Sequence, residues 1–382
     1  MSATLDDMTK IKAIDKGDMC NIEMKFPENC EDAIKRAESL VIPKEVKATE
    51  KLKIKYRNPE EILVVGMGGS AIGGDLLKDW LRETLPLPSE VCREYHLPAY
   101  ADEGTLVIVS SYSGNTEETL SMYLEALEKG CMTISVTSGG LLQEFNEKLG
   151  LPFVKLPGGY PPRSAMPYLF FPLVVSLKKL GVLSGVDDEI EEAVMVLKQV
   201  REEIKPENPT SMNLAKKLAK GVKGSIPFVC GFGFYQGVAL RMKTQFNENG
   251  KTPAKAEFFS ELNHNETVGW TGLRKLTKNF SVILIRDEME PPEIRTRIDL
   301  TRKLVFDEGA KNVLEIYVRG VGKLARMLSA MYIGDFASVY LGILYGSDPT
   351  PVKIIDELKR QLNEKVNTAE ELKEKFRRIS ED

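Results

Sequence analysis

Hydroxyl side chains cluster where a strand-forming run meets a helix-forming one. The β-branched run Val107–Val109 predicts a buried strand, and the next segment, Ser110–Thr116, contains three serines, a threonine and a glycine. A helix that begins at Glu117 would leave its first backbone N–H groups unpaired and direct its positive dipole end into this turn, which favours an anion. A simple helix N-cap would account for one or two of these hydroxyls but not for all of them. The residues predicted to bind a phosphate group are Ser111, Ser113 and Thr116.

A glycine-rich turn follows the preceding strand pattern. The segment Gly66–Ala71, GMGGSA, can be aligned with the dinucleotide-binding pattern G-x-G-x-x-A, and Glu90 and Glu94 stand near the expected distance for a ribose-binding acid. A nicotinamide enzyme would not account for the second loop with its many hydroxyls. We therefore favour a turn whose backbone approaches a bound sugar beside the phosphate, with close strand-to-helix packing as the alternative role of the glycines. The residues predicted to line that sugar site are Gly68, Gly69 and Ser70.

Three ionisable residues complete the candidate set. Arg163 lies in the proline-rich segment GGYPPRSAMP before an apolar run, where a cation could stabilise negative charge that develops on a substrate oxygen. Glu248 and His264 each stand between two asparagines, in a segment that we interpret as a loop after a helix. Amide side chains can hold such groups in place, and ionisable groups held on loops are candidates for catalysis.

Composition limits the classes of function. The chain has 382 residues and a net charge of −4, which argues against a nucleic-acid partner because no basic patch is evident. Its five cysteines lack C-x-x-C spacing and its two histidines are too few for a histidine metal site, so we expect no metal and a reducing compartment. The N-terminus lacks a signal-peptide pattern, and the longest apolar run, Ala165–Leu177, is too short to span a bilayer. We expect a cytoplasmic protein that is not in a membrane.

Strand and helix patterns alternate twice along the chain. In the first set, the strand ILVVG at residues 62–66 precedes the strand before the hydroxyl loop in the chain, and a strand at Met132–Val136 follows it. The segment Ile226–Leu240 repeats the plan of strand, glycine turn and helix, and a long apolar helix, Leu324–Tyr345, completes the second set. The pattern predicts an α/β fold with parallel sheets and a pseudo-duplication whose second copy lacks the hydroxyl loop. One copy would bind phosphate and the other would supply catalytic groups.

Breaks in these patterns divide the chain into five segments. The first and last are helical, and we interpret the final residues, 367–382, as a solvated charged helix. The predicted segments are a helical N-terminal segment at 1–58, a phosphate-binding subdomain at 59–185, a helical connector at 186–210, a second subdomain at 211–350, and a C-terminal helix with a charged tail at 351–382.

Taken together, these motifs resemble the sugar isomerase (SIS) superfamily, and within it the bifunctional phosphoglucose/phosphomannose isomerases. As a set they are specific, whereas SYSGNT alone would indicate only a SIS domain. The resemblance implies two SIS-type αβα sandwich subdomains and no cofactor. The matching stretches, in order, are GMGGSAIGGDLL, SYSGNTEETL, PRSAMP, FNENGK, ELNHNE and IDELKRQL.

The resemblance also implies a reaction, the interconversion of glucose 6-phosphate and mannose 6-phosphate with fructose 6-phosphate through a cis-enediolate. Glu248 would move the proton between C1 and C2, and Arg163 would stabilise the enediolate. His264 and Lys359 would assist ring opening, with Lys353 as the alternative lysine. The family implies a homodimer in which His264 acts across the interface.

Two other classes remain open at this point. A non-catalytic phosphosugar-binding SIS regulator would need the phosphate loop but not the glutamate, histidine and lysine together, and no DNA-binding module is evident. An aminosugar synthase would need an N-terminal cysteine nucleophile or a glutaminase region, and neither is present.

Overall fold

The computed structural model describes residues 4–381, and eleven strands lie within that range. Each strand is short, and the inner strands of the two larger sheets are almost entirely buried, as expected for parallel sheets covered by helices, whereas the strands at the sheet edges are partly exposed. The strands are β1 Glu45–Lys47, β2 Lys53–Lys55, β3 Glu61–Val65, β4 Ser89–Cys92, β5 Thr105–Ser110, β6 Met132–Thr137, β7 Phe153–Lys155, β8 Ile226–Phe232, β9 Lys255–Phe259, β10 Phe280–Arg286 and β11 Asn312–Tyr317.

Helices connect and cover these strands. Short 3₁₀ segments occur at Pro162–Ser164, Gly233–Tyr235 and Glu261–His264, and a π-helical turn occurs at Arg302–Phe306. The α-helices are α1 Met8–Ile14, α2 Met19–Met24, α3 Phe26–Glu38, α4 Gly69–Leu81, α5 Glu117–Glu128, α6 Gly140–Leu149, α7 Met166–Lys179, α8 Asp187–Ile204, α9 Leu214–Val222, α10 Gln236–Glu248, α11 Glu266–Gly269, α12 Arg274–Thr277, α13 Pro292–Thr301, α14 Asp307–Gly309, α15 Lys323–Leu344, α16 Lys353–Val366 and α17 Thr368–Glu381.

The chain forms two compact units, and the first, called the five-strand unit, comprises residues 28–186 and 352–382. Its parallel sheet has the strand order β4-β3-β5-β6-β7. Because β3 and β5 are neighbours, the turns that follow them lie side by side at the carboxyl edge of the sheet, where α/β proteins bind ligands. This placement positions the glycine turn next to the hydroxyl loop.

The second, four-strand unit comprises residues 1–27 and 187–351. Its parallel sheet has the order β11-β10-β8-β9. The first four strands of each sheet, taken in chain order, have the same arrangement. The first strand (β3 or β8) lies between the second (β4 or β9) and the third (β5 or β10), and the fourth (β6 or β11) lies beyond the third. The shared order confirms the predicted pseudo-duplication and the α/β class.

The long apolar helix α15 is the core of the four-strand unit. It contacts α8, α9 and α10, and its residues Leu324–Ile343 are all buried. Its length and composition would suffice to cross a membrane, but 94% of its most apolar 18-residue window is buried inside the protein. A core helix passes the same test, and the burial here identifies α15 as one.

Both ends of the chain differ from the sequence prediction. Residues 8–38 are helical as expected, but residues 45–55 form the antiparallel hairpin of β1 and β2 instead. The predicted solvated tail is the amphipathic helix α17, whose Leu372 and Phe376 are buried in the core of the five-strand unit. Phe376 stacks on Phe145 with ring centroids 3.7 Å apart. Leu372 and Phe376 are four residues apart and so lie on one face of α17, and Ile379 packs against the same core.

Candidate active site

The hydroxyl loop lies at the carboxyl end of β5 and is held from several directions. The backbone N–H of Ser111 donates to the carbonyl of Val136 over 3.0 Å, which extends the pairing with β6. The Ser111 hydroxyl, buried in the loop, lies 3.2 Å from the hydroxyl oxygen of Thr116 and accepts from the backbone N–H of Gly114. Ser113 is exposed at the rim. The three predicted phosphate-binding residues therefore belong to one small loop.

Thr116 is the N-cap residue of α5, but its side chain does not cap the helix. No side-chain hydrogen bond satisfies the first N–H groups of this helix, so its N-terminus remains open toward the loop. The simple N-cap that the sequence left open as an alternative is thus not formed by Thr116. An open helix N-terminus beside two hydroxyls favours binding of an anion.

Gly114 has no room for a side chain. Its φ of +70° is left-handed, and a Cβ built there would lie 1.8 Å from the carbonyl oxygen of Gly139. The adjacent Asn115 accepts a hydrogen bond from the backbone N–H of Leu141 through its Oδ1. Sequence reasoning gave Asn115 no role, although its place in SYSGNT was a signal. The loop is therefore fixed against the start of α6.

The glycine turn after β3 is tied to the hydroxyl loop. The Ser70 hydroxyl accepts a hydrogen bond from the backbone N–H of Tyr112 over 3.1 Å, so Ser70 joins the two turns. Gly68 has φ +51° and open space where a side chain would be, whereas a Cβ at Gly69 would lie 3.0 Å from the carbonyl oxygen of Pro162. Gly68 thus leaves backbone accessible to a ligand, and Gly69 permits close packing onto the segment of Arg163.

Arg163 lies in the short 3₁₀ segment before α7 and is only 3% exposed. Its backbone touches the glycine turn, since a Cβ at Gly69 would lie 3.1 Å from the Arg163 nitrogen. The neighbouring Tyr112 donates to the carbonyl of Pro157 and accepts from the N–H of Tyr160, and burial raises the pKa of this phenol, which therefore remains a donor. These contacts attach the arginine-bearing segment to both turns.

A cleft of about 590 Å³ opens at the hydroxyl loop. Ser113 and Thr116 line one side, and residues of α16 and α17, including Lys359, line the other. Lys353, the alternative lysine, is not among the residues that line this cleft. Lys373 of α17 also lines the cleft, where it pairs with Glu370, and no sequence motif indicated it.

Glu248 and His264 lie in the four-strand unit. The sequence placed both on a loop, which is wrong for Glu248: it is the last residue of α10, and the expected loop also contains β9. His264 ends the 3₁₀ segment that follows β9 and is exposed. Spacing alone could not reveal β9, because its burial pattern is intermediate rather than alternating.

The flanking asparagines hold the backbone around these residues. Asn249 is fully buried and donates to the hydroxyl of Ser338 over 3.0 Å, while Asn247 donates to the carbonyl of Thr252. On the other segment, Asn263 donates to the hydroxyl of Thr301 over 2.7 Å. The amides therefore fix the main chain that carries the two ionisable groups.

The segment after β10 in the second sheet corresponds in position to the hydroxyl loop after β5, but its structure is different. Asp287 follows β10, the counterpart of β5, and its carboxylate accepts from the hydroxyl of Tyr235 and, over 2.5 Å, from the guanidinium of Arg326. Burial and the Asp287 carboxylate raise the pKa of Tyr235. The counterpart position is closed by the protein's own charges, as expected for a copy without a phosphate loop.

Potential metal ligands are scattered. Within residues 4–381, no group of three or more histidine, cysteine, aspartate or glutamate side chains is placed to hold a metal ion. All five cysteines are free thiols, and all of them are buried.

The duplicated parallel sheets and the loop at the carboxyl edge of β5 define a protein of the SIS class. The family model for the SIS domain matches residues 55–142, and the model for the bacterial phospho-glucose isomerase C-terminal SIS domain matches residues 211–362. A solved structure, a glucose-6-phosphate isomerase like protein from Thermus thermophilus, superposes with a TM-score of 0.57 and 16% identity over 91% of this chain and 97% of its own. That similarity confirms the fold.

Two relatives define the family more closely. A bifunctional phosphoglucose/phosphomannose isomerase of Caldicellulosiruptor bescii is 44% identical over 82% of this chain and 92% of its own length. One from Aquifex aeolicus is 37% identical over 79% of this chain and 90% of its own. The chain belongs to the bifunctional phosphoglucose/phosphomannose isomerases, as its motifs indicated.

Proposed function

We propose that the protein interconverts glucose 6-phosphate and mannose 6-phosphate with fructose 6-phosphate. The observation that carries this proposal is the hydroxyl loop at the open N-terminus of α5, in a chain of this isomerase family. Ser111, Ser113 and Thr116 bind the phosphoryl group there. Gly68, Gly69 and Ser70 line the sugar, since the hydrogen bond from Tyr112 to Ser70 brings their turn beside the loop.

The reaction requires a base that removes a proton next to a carbonyl group. Glu248 takes the proton from C2 of the open-chain aldose and returns it to C1, while the hydroxyl proton of O2 passes to O1, which gives the ketose. The intermediate is a cis-enediolate, and Arg163 stabilises its negative charge. Rotation about the bond between C2 and C3 lets the same carboxylate serve either face of C2, so both aldose epimers are substrates.

Ring opening precedes proton transfer. It needs one proton delivered to the ring oxygen and one removed from O1, tasks that suit His264 and Lys359. The shared cleft of Lys359 with Ser113 and Thr116 supports its placement beside the phosphosugar. The protein is cytoplasmic in this proposal, in line with a substrate class that is produced and consumed inside cells.

The direct test of this function needs no cofactor. We expect purified protein to convert both aldose phosphates to fructose 6-phosphate. In excess EDTA it should keep about 90% or more of its turnover, because proton transfer by a carboxylate does not require a metal. A coupled assay with and without chelator measures this. Loss of activity in EDTA that zinc restores would contradict the mechanism, and binding of fructose 6-phosphate without turnover would favour a regulator.

The exposed His264 supports a homodimer in which the histidine acts in the partner's site. Large apolar side chains near it are exposed, among them Val268 and Leu304. A groove of about 280 Å³ joins Asn263, next to the histidine, to Leu304. An apolar face continuous with a catalytic residue is suited to pairing with a second copy of the chain.

A charge placed on this face should separate the subunits. We expect Leu304→Glu, at a position 68% exposed, to give a folded monomer whose turnover is at least tenfold (roughly) lower, because His264 no longer reaches a site. Light scattering gives the mass, and the coupled assay gives the rate. Met195→Glu, at an exposed position of α8, is the control and should change neither. A monomeric Leu304→Glu variant with full turnover would exclude a catalytic role across the interface.

A further inference from the structure

The ammonium group of Lys251 contacts three backbone carbonyl oxygens. Its Nζ donates to Glu248 over 2.5 Å, to Pro349 over 2.9 Å and to Pro351 over 2.6 Å. A lysine has three donor hydrogens, and these contacts use all of them. The left-handed backbone of Lys251, with φ +50°, reverses the chain after α10 so that the side chain lies back across the helix end.

One contact is with the residue proposed as the catalytic base. The Glu248 carbonyl belongs to the last turn of α10, where the helix dipole favours a cation. The next residues are tightly packed: Asn249 is buried on α15, and a Cβ at Gly250 would lie 2.7 Å from the carbonyl oxygen of Phe246. Lys251 thus completes the fixation of the backbone at Glu248.

The other two contacts are with the segment that leads into α16. Pro351 lies two residues before the start of that helix, which carries Lys359. Both prolines lack a backbone N–H, so this segment offers carbonyl groups but few donors of its own. The ammonium supplies the missing donor, and it does so from the chain reversal that follows the base.

We propose that Lys251 is a positioning residue for the isomerisation. It ties the backbone of Glu248 to the carbonyl groups of Pro349 and Pro351 in the same unit, and thereby sets the point from which the carboxylate side chain extends. This inference rests on the proposed function, since it assumes that Glu248 moves the proton. Displacing a catalytic group by about 1 Å can cost a factor of about 100 in rate, so a bond remote from the substrate can matter.

Replacement by an uncharged side chain of similar length tests the proposal. We expect Lys251→Met to lower kcat about 10- to 100-fold and to leave KM for fructose 6-phosphate within about threefold, because binding is the task of the other unit. Lys251→Arg should fall between Lys251→Met and the unmodified protein, since it keeps the charge but cannot converge on three carbonyls. The coupled assay gives both constants.

A matched control separates positioning from general stabilisation. Lys311 in the same unit also donates to two backbone carbonyls, those of Lys223 and Gly224. We expect Lys311→Met to leave kcat within about twofold. In a Glu248→Gln background, Lys251→Met should lower the residual turnover by less than about twofold, because the group that it positions is absent.

Three results would overturn the proposal. They are turnover of Lys251→Met within about twofold of the unmodified protein, an equal loss in Lys311→Met, and an undiminished effect of Lys251→Met in the Glu248→Gln background. If Lys251→Met does not fold, full turnover of Lys251→Arg would assign the lysine to folding alone and overturn the proposal as well. Near-normal turnover of Glu248→Gln by itself would instead refute the proposed base, so the two failures are distinguishable.

Discussion

Glu248→Gln should lower turnover by about three orders of magnitude while the protein still folds and binds fructose 6-phosphate. General base catalysis contributes factors of about 10² to 10⁴, and the amide has nearly the same shape as the carboxylate but cannot accept the proton. Because the proposed base acts at C1 and C2, at the opposite end of the sugar from the 6-phosphate, its side chain contributes little to phosphate binding in this mechanism. The loss should therefore appear in kcat rather than in KM.

Isotope exchange provides an independent readout. In heavy water, the unmodified enzyme should introduce deuterium at the carbon that receives the proton, and Glu248→Gln should reduce that exchange by the same factor as turnover. Glu293→Gln, which removes an exposed carboxylate of the same unit, should change neither rate. Turnover of Glu248→Gln within about tenfold of the unmodified enzyme would remove this residue from the mechanism.

Gly114→Ala should disrupt the phosphate loop and raise KM for every phosphosugar at least tenfold (roughly). A left-handed backbone costs a non-glycine residue about 1 to 2 kcal/mol, and here the new Cβ would also lie 1.8 Å from the carbonyl oxygen of Gly139. Backbone on both sides of this contact must move. Since Gly114 also accepts from the N–H of Leu142 through its carbonyl, the movement would extend into α6.

A second glycine isolates the steric part of this effect. Gly150 has a similar φ of +66° but open space where a Cβ would be, so Gly150→Ala should lose only the 1 to 2 kcal/mol (roughly) of backbone strain and keep its KM. Thermal unfolding gives the stability of each variant, and initial rates give KM. Equal losses of stability in the two variants, with KM unchanged in both, would show that the loop tolerates displacement and does not bind the phosphate.

Local patterns in the sequence predicted the parts of the fold that local physics determines. The run Val107–Val109 predicted a buried strand, and the hydroxyls after it predicted the start of a helix. The structure has both, and the N-terminus of that helix has no side-chain cap. The sequence predicted that the sheets are parallel but not the order of their strands, because neighbouring strands are selected by packing between distant segments. The sequence predicted the duplication, and the structure adds that one sheet repeats the strand order of the other.

The errors arose where distant contacts decide the structure. The tail was predicted to be solvated because its charges dominate its composition, yet the stacking of Phe376 on Phe145 docks it in the core. Glu248, between two asparagines, was assigned to the loop after a helix, whereas α10 continues to that residue. The buried cation Arg163 was predicted from its apolar surroundings, but its attachment to the glycine turn depends on a contact between distant segments that the sequence does not reveal.

The helix α15 has a consequence for biosynthesis. It is long and apolar enough to resemble a membrane span. Its packing partners α8, α9 and α10 all precede it in the chain, so the surfaces that cover it have already been synthesised when it emerges. The order of the elements thus limits the time during which a nascent chain displays this apolar helix to chaperones and to membrane-targeting factors.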